Sequence, residues 1–118
     1  MAKIWTNGPG LTSNGMRKTR VAINGLGRIG RAFLKLALKR PELEIVAVND
    51  LGELPNFAYL LKYDSAYGRS RLDIDIEDGN LNIGPHAIKF LQIKDPAQLP
   101  WQELDIDVVV ESTGVFES

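Results

Sequence analysis

The run Val21-Ala22-Ile23-Asn24-Gly25-Leu26-Gly27-Arg28-Ile29-Gly30 leaves few folds open to this chain. Strand-forming residues end in glycines spaced Gly-x-Gly-x-x-Gly, and a helical apolar pattern starts at once. Each glycine has a separate physical use. Gly25 permits a tight turn off the strand, Gly27 lets backbone approach a ligand, and Gly30 lets the helix pack close to the sheet. The first helical N–H groups, near Arg28 and Ile29, have no partner within the helix and suit an anion. A second apolar run, Glu44–Asn49, closes on Asp50, twenty positions after Gly30.

A strand, a glycine turn, a helix and an acid at that offset form the fingerprint of dinucleotide binding. The motif predicts a diphosphate over the helix N-terminus. Asp50 at the end of the second strand predicts hydrogen bonds from both adenosine ribose hydroxyls. Its charge repels a 2′-phosphate, so the pattern favours NAD over NADP. The competing uses are a glycine-rich turn without a ligand and an aspartate that caps the next turn.

The rest of the chain extends the same fold. The first strand is expected over Arg20–Asn24 and the first helix over Arg28–Lys39, with Ile29, Phe33, Leu36 and Ala37 on its buried face. Glu44–Asn49 is a continuous apolar strand of the parallel, doubly buried kind. Pro55 suits the first turn of a second helix, which continues over Asn56–Lys62 with Phe57, Leu60 and Leu61 inward. From Arg71 the period becomes two: Leu72, Ile74 and Ile76 alternate with Asp73, Asp75 and Glu77. Asp78-Gly79 marks a hairpin turn, followed by Leu81 and Ile83 on the return strand. His86–Ile93 is a further strand whose alternation slips at Phe90-Leu91, which indicates a bulge or a change of buried face. Asp95-Pro96 opens a loop or short helix ending near Leu104, and Asp107–Glu111 is another parallel-type strand. The predicted class is α/β: the first half of a Rossmann-type doubly wound parallel sheet with an antiparallel hairpin insertion, incomplete because a crossover helix is due after Val115-Phe116. The last strand then presents an exposed edge, an association hazard.

Residues 1–18 are rich in Gly, Asn, Ser, Thr and Pro, and are expected to be a disordered tail, with Met16 a plausible natural start. The alternative is a tail that docks through Ile4 and Trp5. Residues 19–118 are then the folded domain. The composition, 44% hydrophobic and 25% charged with net charge −1, is that of an ordinary globular domain without a basic stripe for nucleic acid or an anionic membrane. No apolar run approaches a membrane span, and no secretory signal opens the chain. The chain has no cysteine, hence no disulfide, thiolate metal site or cysteine nucleophile. The default compartment is the cytoplasm.

Other candidates carry less. Ser112-Thr113-Gly114 follows a parallel strand at the sheet edge where ligands bind, and Gly114 lets backbone pass close to a cofactor; an ordinary strand-to-helix turn has the same appearance. Glu111 is either a buried carboxylate or a strand-end group bonded to backbone. His86 is expected at the surface. Asp73, Asp75 and Glu77 share one strand face with no second source of ligands, so they form a solvated face and no metal site. Trp101 is expected to anchor the core.

At these residues the sequence resembles the phosphorylating glyceraldehyde-3-phosphate dehydrogenase family. The resemblance spans Thr19 to Phe116. Its segments are Ala22–Arg31, Val48-Asn49-Asp50, Leu60–Ser65 with Gly68, Asp95-Pro96, Trp101 and Val110–Phe116. It implies an NAD-binding N-terminal domain of a homotetrameric glycolytic enzyme that oxidises glyceraldehyde 3-phosphate through a thiohemiacetal. By that resemblance Arg28 and Ile29 hold the diphosphate, Asp50 the ribose and Asn49 the adenine side, while Ser112, Thr113 and Gly114 line the adenine and ribose wall. Asn24, Gly25, Gly27 and Gly30 complete the cofactor set. Lys94 stands where the family has Arg before Asp-Pro, and its ammonium cannot stack flat on adenine. The family's nucleophilic cysteine, base histidine and phosphate-binding groups match nothing here, so the resemblance places no catalytic residue in this chain. Three other readings remain: a fragment of erythrose-4-phosphate dehydrogenase, disfavoured by Asn49-Asp50 and Ser112–Gly114, a free-standing nucleotide-binding module, and a structural remnant that binds nothing.

Overall fold

Apolar β-branched runs and short amphipathic helices place both helices on one face of a seven-stranded mixed sheet. The computed structural model describes residues 3–6, 18–63 and 73–113. In chain order the elements are β1 (Lys3–Thr6), β2 (Thr19–Asn24), α1 (Arg28–Ala37), β3 (Leu43–Asn49), α2 (Leu54–Tyr63), β4 (Ile74–Glu77), β5 (Asn80–Ile83), β6 (His86–Leu91) and β7 (Val108–Glu111). A single 3-10 turn, Pro96–Gln98, lies between β6 and β7; the Asp95 carboxylate accepts from the Ala97 N–H at 3.0 Å to start it.

The strand order is β1-β7-β2-β3-β6-β5-β4. Strands β7, β2, β3 and the end of β6 run parallel, while β1 and the β4–β5 hairpin are antiparallel. The chain winds outward from β2 through β3 to β6, then returns to place β7 on the other side of β2. That reversal opens a crevice beyond the carboxyl ends of β2, β3 and β7, the place where such sheets bind ligands.

Both faces of the central strand are covered. Val21 and Ile23 enter the main core with Leu34, Val48, Leu61 and Ile88, under the two helices. Ala22 faces a smaller cluster with Ile106 and Val109, against which Trp101 packs part-buried. The β4–β5 turn has Asp78 at φ 53° and Gly79 at φ 74°, the positive pair that a two-residue hairpin requires.

The structure departs from the sequence reading in four places. First, α1 ends at Ala37 and buries Gly30, Leu34 and Ala37, while Ile29 and Leu36 are exposed. The sheet-facing line passes through Gly30 because only a residue without Cβ fits there: a Cβ would overlap the Gly25 carbonyl oxygen and lie 2.9 Å from Ser112 Oγ. Second, β6 ends at Leu91, because the Ile93 N–H and C=O are taken by the Asn49 side chain (2.8 and 3.0 Å). Third, the slip in its alternation accompanies a change of partner: His86–Ile88 pair with β5, and Lys89–Leu91 pair with β3. Fourth, the expected tail contains a strand. Lys3–Thr6 pairs antiparallel with β7, so the edge expected to be open is covered. Residues 1, 2 and 7–17 of the expected tail lie outside the described residues, as do Asp64, Ser65, Gly68, Arg71, Leu72 and Gly114.

Candidate functional site

The glycine turn is built by close packing against the end of β7. Gly25 takes φ +104°, and a Cβ there would come within 2.5 Å of the Ser112 backbone. Ser112 is buried, and its Oγ donates to the Gly25 carbonyl at 2.7 Å. The Ser112 N–H donates to the Asn24 carbonyl at 2.8 Å, and the Gly25 N–H to the Asn49 carbonyl at 2.7 Å. The turn is therefore fixed from both neighbouring strands. Gly27 contrasts with Gly25 and Gly30: a Cβ there meets nothing within 4 Å. Gly27 is also the N-cap of α1, which has no side-chain cap. The first-turn amides of Arg28, Ile29 and Gly30 precede the first intrahelical bond, from the Arg31 N–H to the Gly27 carbonyl (2.8 Å).

Asp50 lies across the crevice, half-buried. Its Oδ2 accepts from the Leu26 N–H at 2.7 Å, and its Oδ1 accepts from the Gly52 N–H at 2.8 Å. Asp50 thus fixes the following turn, as the capping reading expected, and it also lines the crevice. A carboxylate has about four lone-pair sites, so two backbone donors leave capacity for ligand hydroxyls.

Below the crevice the strand ends are linked by side chains. Asn24 Nδ2 donates to both Glu111 oxygens (2.7 and 3.1 Å), and Asn24 Oδ1 accepts from Asn49 Nδ2 (2.8 Å). Asn49 then bonds both backbone groups of Ile93. Glu111 is half-buried, and its bonds go to a side-chain amide rather than to backbone. No buried side-chain nitrogen or oxygen among the described residues lacks a partner.

The crevice has a volume of about 660 Å³, and Asn24, Gly25, Asn49, Asp50, Lys94 and Thr113 all line it, with Leu51, Ile93, Pro96, Leu99 and Glu111. Gly27, Arg28 and Ile29 lie beyond that lining, exposed at the start of α1. Gly30 and Ser112 are buried behind the turn and act by packing. Lys94 is exposed at the rim. Glu111 and the Ile93 backbone are the members the sequence did not assign; the signal for both was the pair of asparagines ending adjacent parallel strands. His86 is half-buried at the start of β6, and Asp73, Asp75 and Glu77 are exposed.

A family model described as "Glyceraldehyde 3-phosphate dehydrogenase, NAD binding domain" matches residues 19–118. The chain belongs to that family. Relatives agree. The chain is 51% identical over 98 residues to glyceraldehyde-3-phosphate dehydrogenase 1 of Streptomyces arenae, covering 82% of this chain and 29% of that protein. It is 48% identical over 101 residues to glyceraldehyde-3-phosphate dehydrogenase 1 of a Nostoc species, covering 86% and 29%. It is 50% identical over 99 residues to glyceraldehyde-3-phosphate dehydrogenase 1 of Kluyveromyces lactis, covering 83% and 30%. The chain thus spans about three-tenths of the length of these relatives. For an NAD-binding domain of this family, the open space at Gly27, the uncapped helix start and the Asp50 carboxylate fit a dinucleotide in both charge and shape.

Proposed function

We propose that this chain is the cofactor-binding part of a glyceraldehyde-3-phosphate dehydrogenase and that it holds the adenosine diphosphate half of NAD. The observation that carries the reading is the pairing of the open, uncapped glycine turn with a carboxylate held across the crevice. The Arg28 and Ile29 amides receive the diphosphate, where the helix dipole favours negative charge. Gly27 leaves room for it. Asp50 receives the ribose hydroxyls and disfavours a 2′-phosphate. Asn24, Asn49 and Glu111 keep the strand ends in register, and the rims at Leu51, Lys94, Pro96 and Leu99 flank the adenine. When bound, NAD supplies the hydride acceptor for oxidation of an aldehyde.

In the parent enzyme that substrate is glyceraldehyde 3-phosphate, oxidised and phosphorylated to an acyl phosphate in glycolysis. This reading takes the parent as a cytoplasmic homotetramer with no nucleic-acid or membrane partner; among the described residues no helix is long and apolar enough to cross a membrane. The cofactor domain is taken as residues 19–118, with β1 adding a strand from outside that range to its sheet. The test is calorimetric titration of the chain with NAD, ADP-ribose and NADP. ADP-ribose is expected to bind nearly as well as NAD, and NADP more weakly. Equal affinity for NADP contradicts the role of Asp50, and the absence of any adenine-nucleotide binding by folded chain contradicts the reading as a whole.

A further inference from the structure

Three polar side chains stand in one row across the carboxyl ends of neighbouring strands. The register sets Glu111 of β7 beside Asn24 of β2, and Asn24 beside Asn49 of β3. Residues at one level of a parallel pair share a face of the sheet, so the three side chains meet. Beyond Asn49 the row would continue with Leu91 of β6, whose apolar side chain cannot extend it. The bonds pass instead to the Ile93 backbone, at the start of the rim that carries Lys94, Pro96 and Leu99.

Each bond in this row has a fixed direction. The Glu111 carboxylate accepts and turns Asn24 Nδ2 toward itself (2.7 and 3.1 Å). That leaves Asn24 Oδ1 to face β3, where it accepts from Asn49 Nδ2 at 2.8 Å. Asn49 then has one orientation left. Its Nδ2 also donates to the Ile93 carbonyl at 3.0 Å, and its Oδ1 accepts from the Ile93 N–H at 2.8 Å. An Asn24 amide turned over would set oxygen against the carboxylate and nitrogen against nitrogen. Turning Asn49 as well would relieve the second clash and break both bonds to Ile93. Asn24 and Asn49 are buried, where an unmade bond carries its full desolvation cost, so a single arrangement satisfies every group. Both Asn49 amide hydrogens are used within it. Asn49 therefore has no donor for a base, and its influence on the adenine side runs through the segment it holds.

We infer that Glu111 is a positioning residue for the adenosine half of the dinucleotide. By fixing the direction of both amides it holds the Ile93 backbone, and with it the 93–99 rim, opposite the wall at Thr113. This role rests on the reading of the crevice as the adenosine site. The strand ladder alone does not need the carboxylate: β7, β2 and β3 are already joined by backbone pairing, whereas Ile93 lies past the end of β6 and is held by the Asn49 side chain.

The experiment compares the full 118-residue chain with its Glu111→Ala and Glu111→Gln variants, by amide hydrogen exchange without nucleotide and by calorimetry with ADP-ribose. Alanine removes the acceptor, while glutamine keeps one acceptor oxygen and drops the charge. In the parent the Ile93 amide and the Asn49 side-chain amide are expected to exchange slowly. Glu111→Ala is expected to speed Ile93 exchange by at least about tenfold while the Ile23 amide, in the central strand, stays protected. Its ADP-ribose affinity should fall about fivefold. Glu111→Gln should rescue both, to within about twofold of the parent, because the direction of the amides is kept. A general loss of stability would speed Ile23 and Ile93 together. Should alanine do so, the Asn49 side-chain hydrogens decide: slow exchange is expected in the parent and in Glu111→Gln, and fast exchange in either overturns the inference. Fast Ile93 exchange in a folded parent or in Glu111→Gln, or parent-like Ile93 exchange in Glu111→Ala, overturns it as well. The exchange measurement needs no nucleotide, so two failures are distinguishable. A parent that shows the expected exchange yet binds no ADP-ribose overturns the reading of the crevice, and the positioning role with it. ADP-ribose binding that is indifferent to Glu111→Ala overturns the positioning role alone.

Discussion

Replacing Gly27 and Gly30 separately by alanine divides the glycine motif into its binding and packing parts. A methyl at Gly30 would overlap the Gly25 carbonyl oxygen and sit 2.9 Å from Ser112 Oγ. Ordinary non-bonded contact lies at about 3.5 Å, and one of the opposing groups is backbone that cannot rotate away. Helix and turn must part by roughly an ångström, an overpacking cost toward the upper end of about 1–3 kcal/mol. Alanine recovers about 1 kcal/mol in helix propensity. The expected net loss is about 2 kcal/mol, or a fall in Tm of roughly 8 °C or more for a chain of this size. Gly27 behaves in the opposite way. Its φ −76° and ψ −158° suit any L-residue, and a Cβ there meets nothing within 4 Å. Loss of a glycine N-cap and reduced freedom of the unfolded chain oppose each other, so stability should stay within about 0.5 kcal/mol. NAD affinity should fall at least about tenfold, because the methyl occupies the diphosphate's approach. Urea unfolding and calorimetry read the two effects. A Gly30→Ala chain as stable as the parent, or a Gly27→Ala chain with unchanged NAD affinity, refutes the assignment.

Other outcomes follow from named contacts. Asp50→Ala should weaken NAD binding, relax discrimination against NADP and lower stability by about 1–3 kcal/mol, since the Leu26 and Gly52 amides lose their acceptor; titration with both cofactors together with urea unfolding checks it. Asn49→Asp should be more damaging than its size suggests, because a carboxylate would face the acceptor oxygens of Asn24 and Ile93 in place of an amide donor. A thermal melt should show a Tm drop larger than that of Ser112→Ala, which removes one buried bond worth about 1 kcal/mol. Lys94→Arg should strengthen NAD binding by roughly two- to fivefold if a planar guanidinium stacks on the adenine, and calorimetry of the variant measures it.

Much of the architecture was legible because it rests on local patterns. The glycine turn, the apolar parallel strands and the Asp78-Gly79 hairpin each need only a few adjacent residues. The face of α1 was legible only in part: Ala37 is buried and Phe33 packs against the core, but Ile29 and Leu36 are exposed. Ile29 and Leu36 are as apolar as Leu34, and what selects the buried line is the contact of Gly30 with a turn whose other wall is Ser112. The linkage of Glu111, Asn24, Asn49 and Ile93 was hidden for a similar reason: its members come from four different strand ends, and nothing local says which neighbour a given asparagine will find. The pairing of β1 was the hardest to foresee, since a four-residue strand is specified mainly by the edge that receives it.

The bond from Ser112 to Gly25 joins residues 87 apart in the chain. The glycine turn is thus made well before its supporting wall, which follows 87 residues later. Until β7 has emerged and inserted beside β2, a nascent chain carries the complete glycine motif without the rigid turn, so the shape of that turn waits on the arrival of a distant strand rather than on the appearance of the glycines.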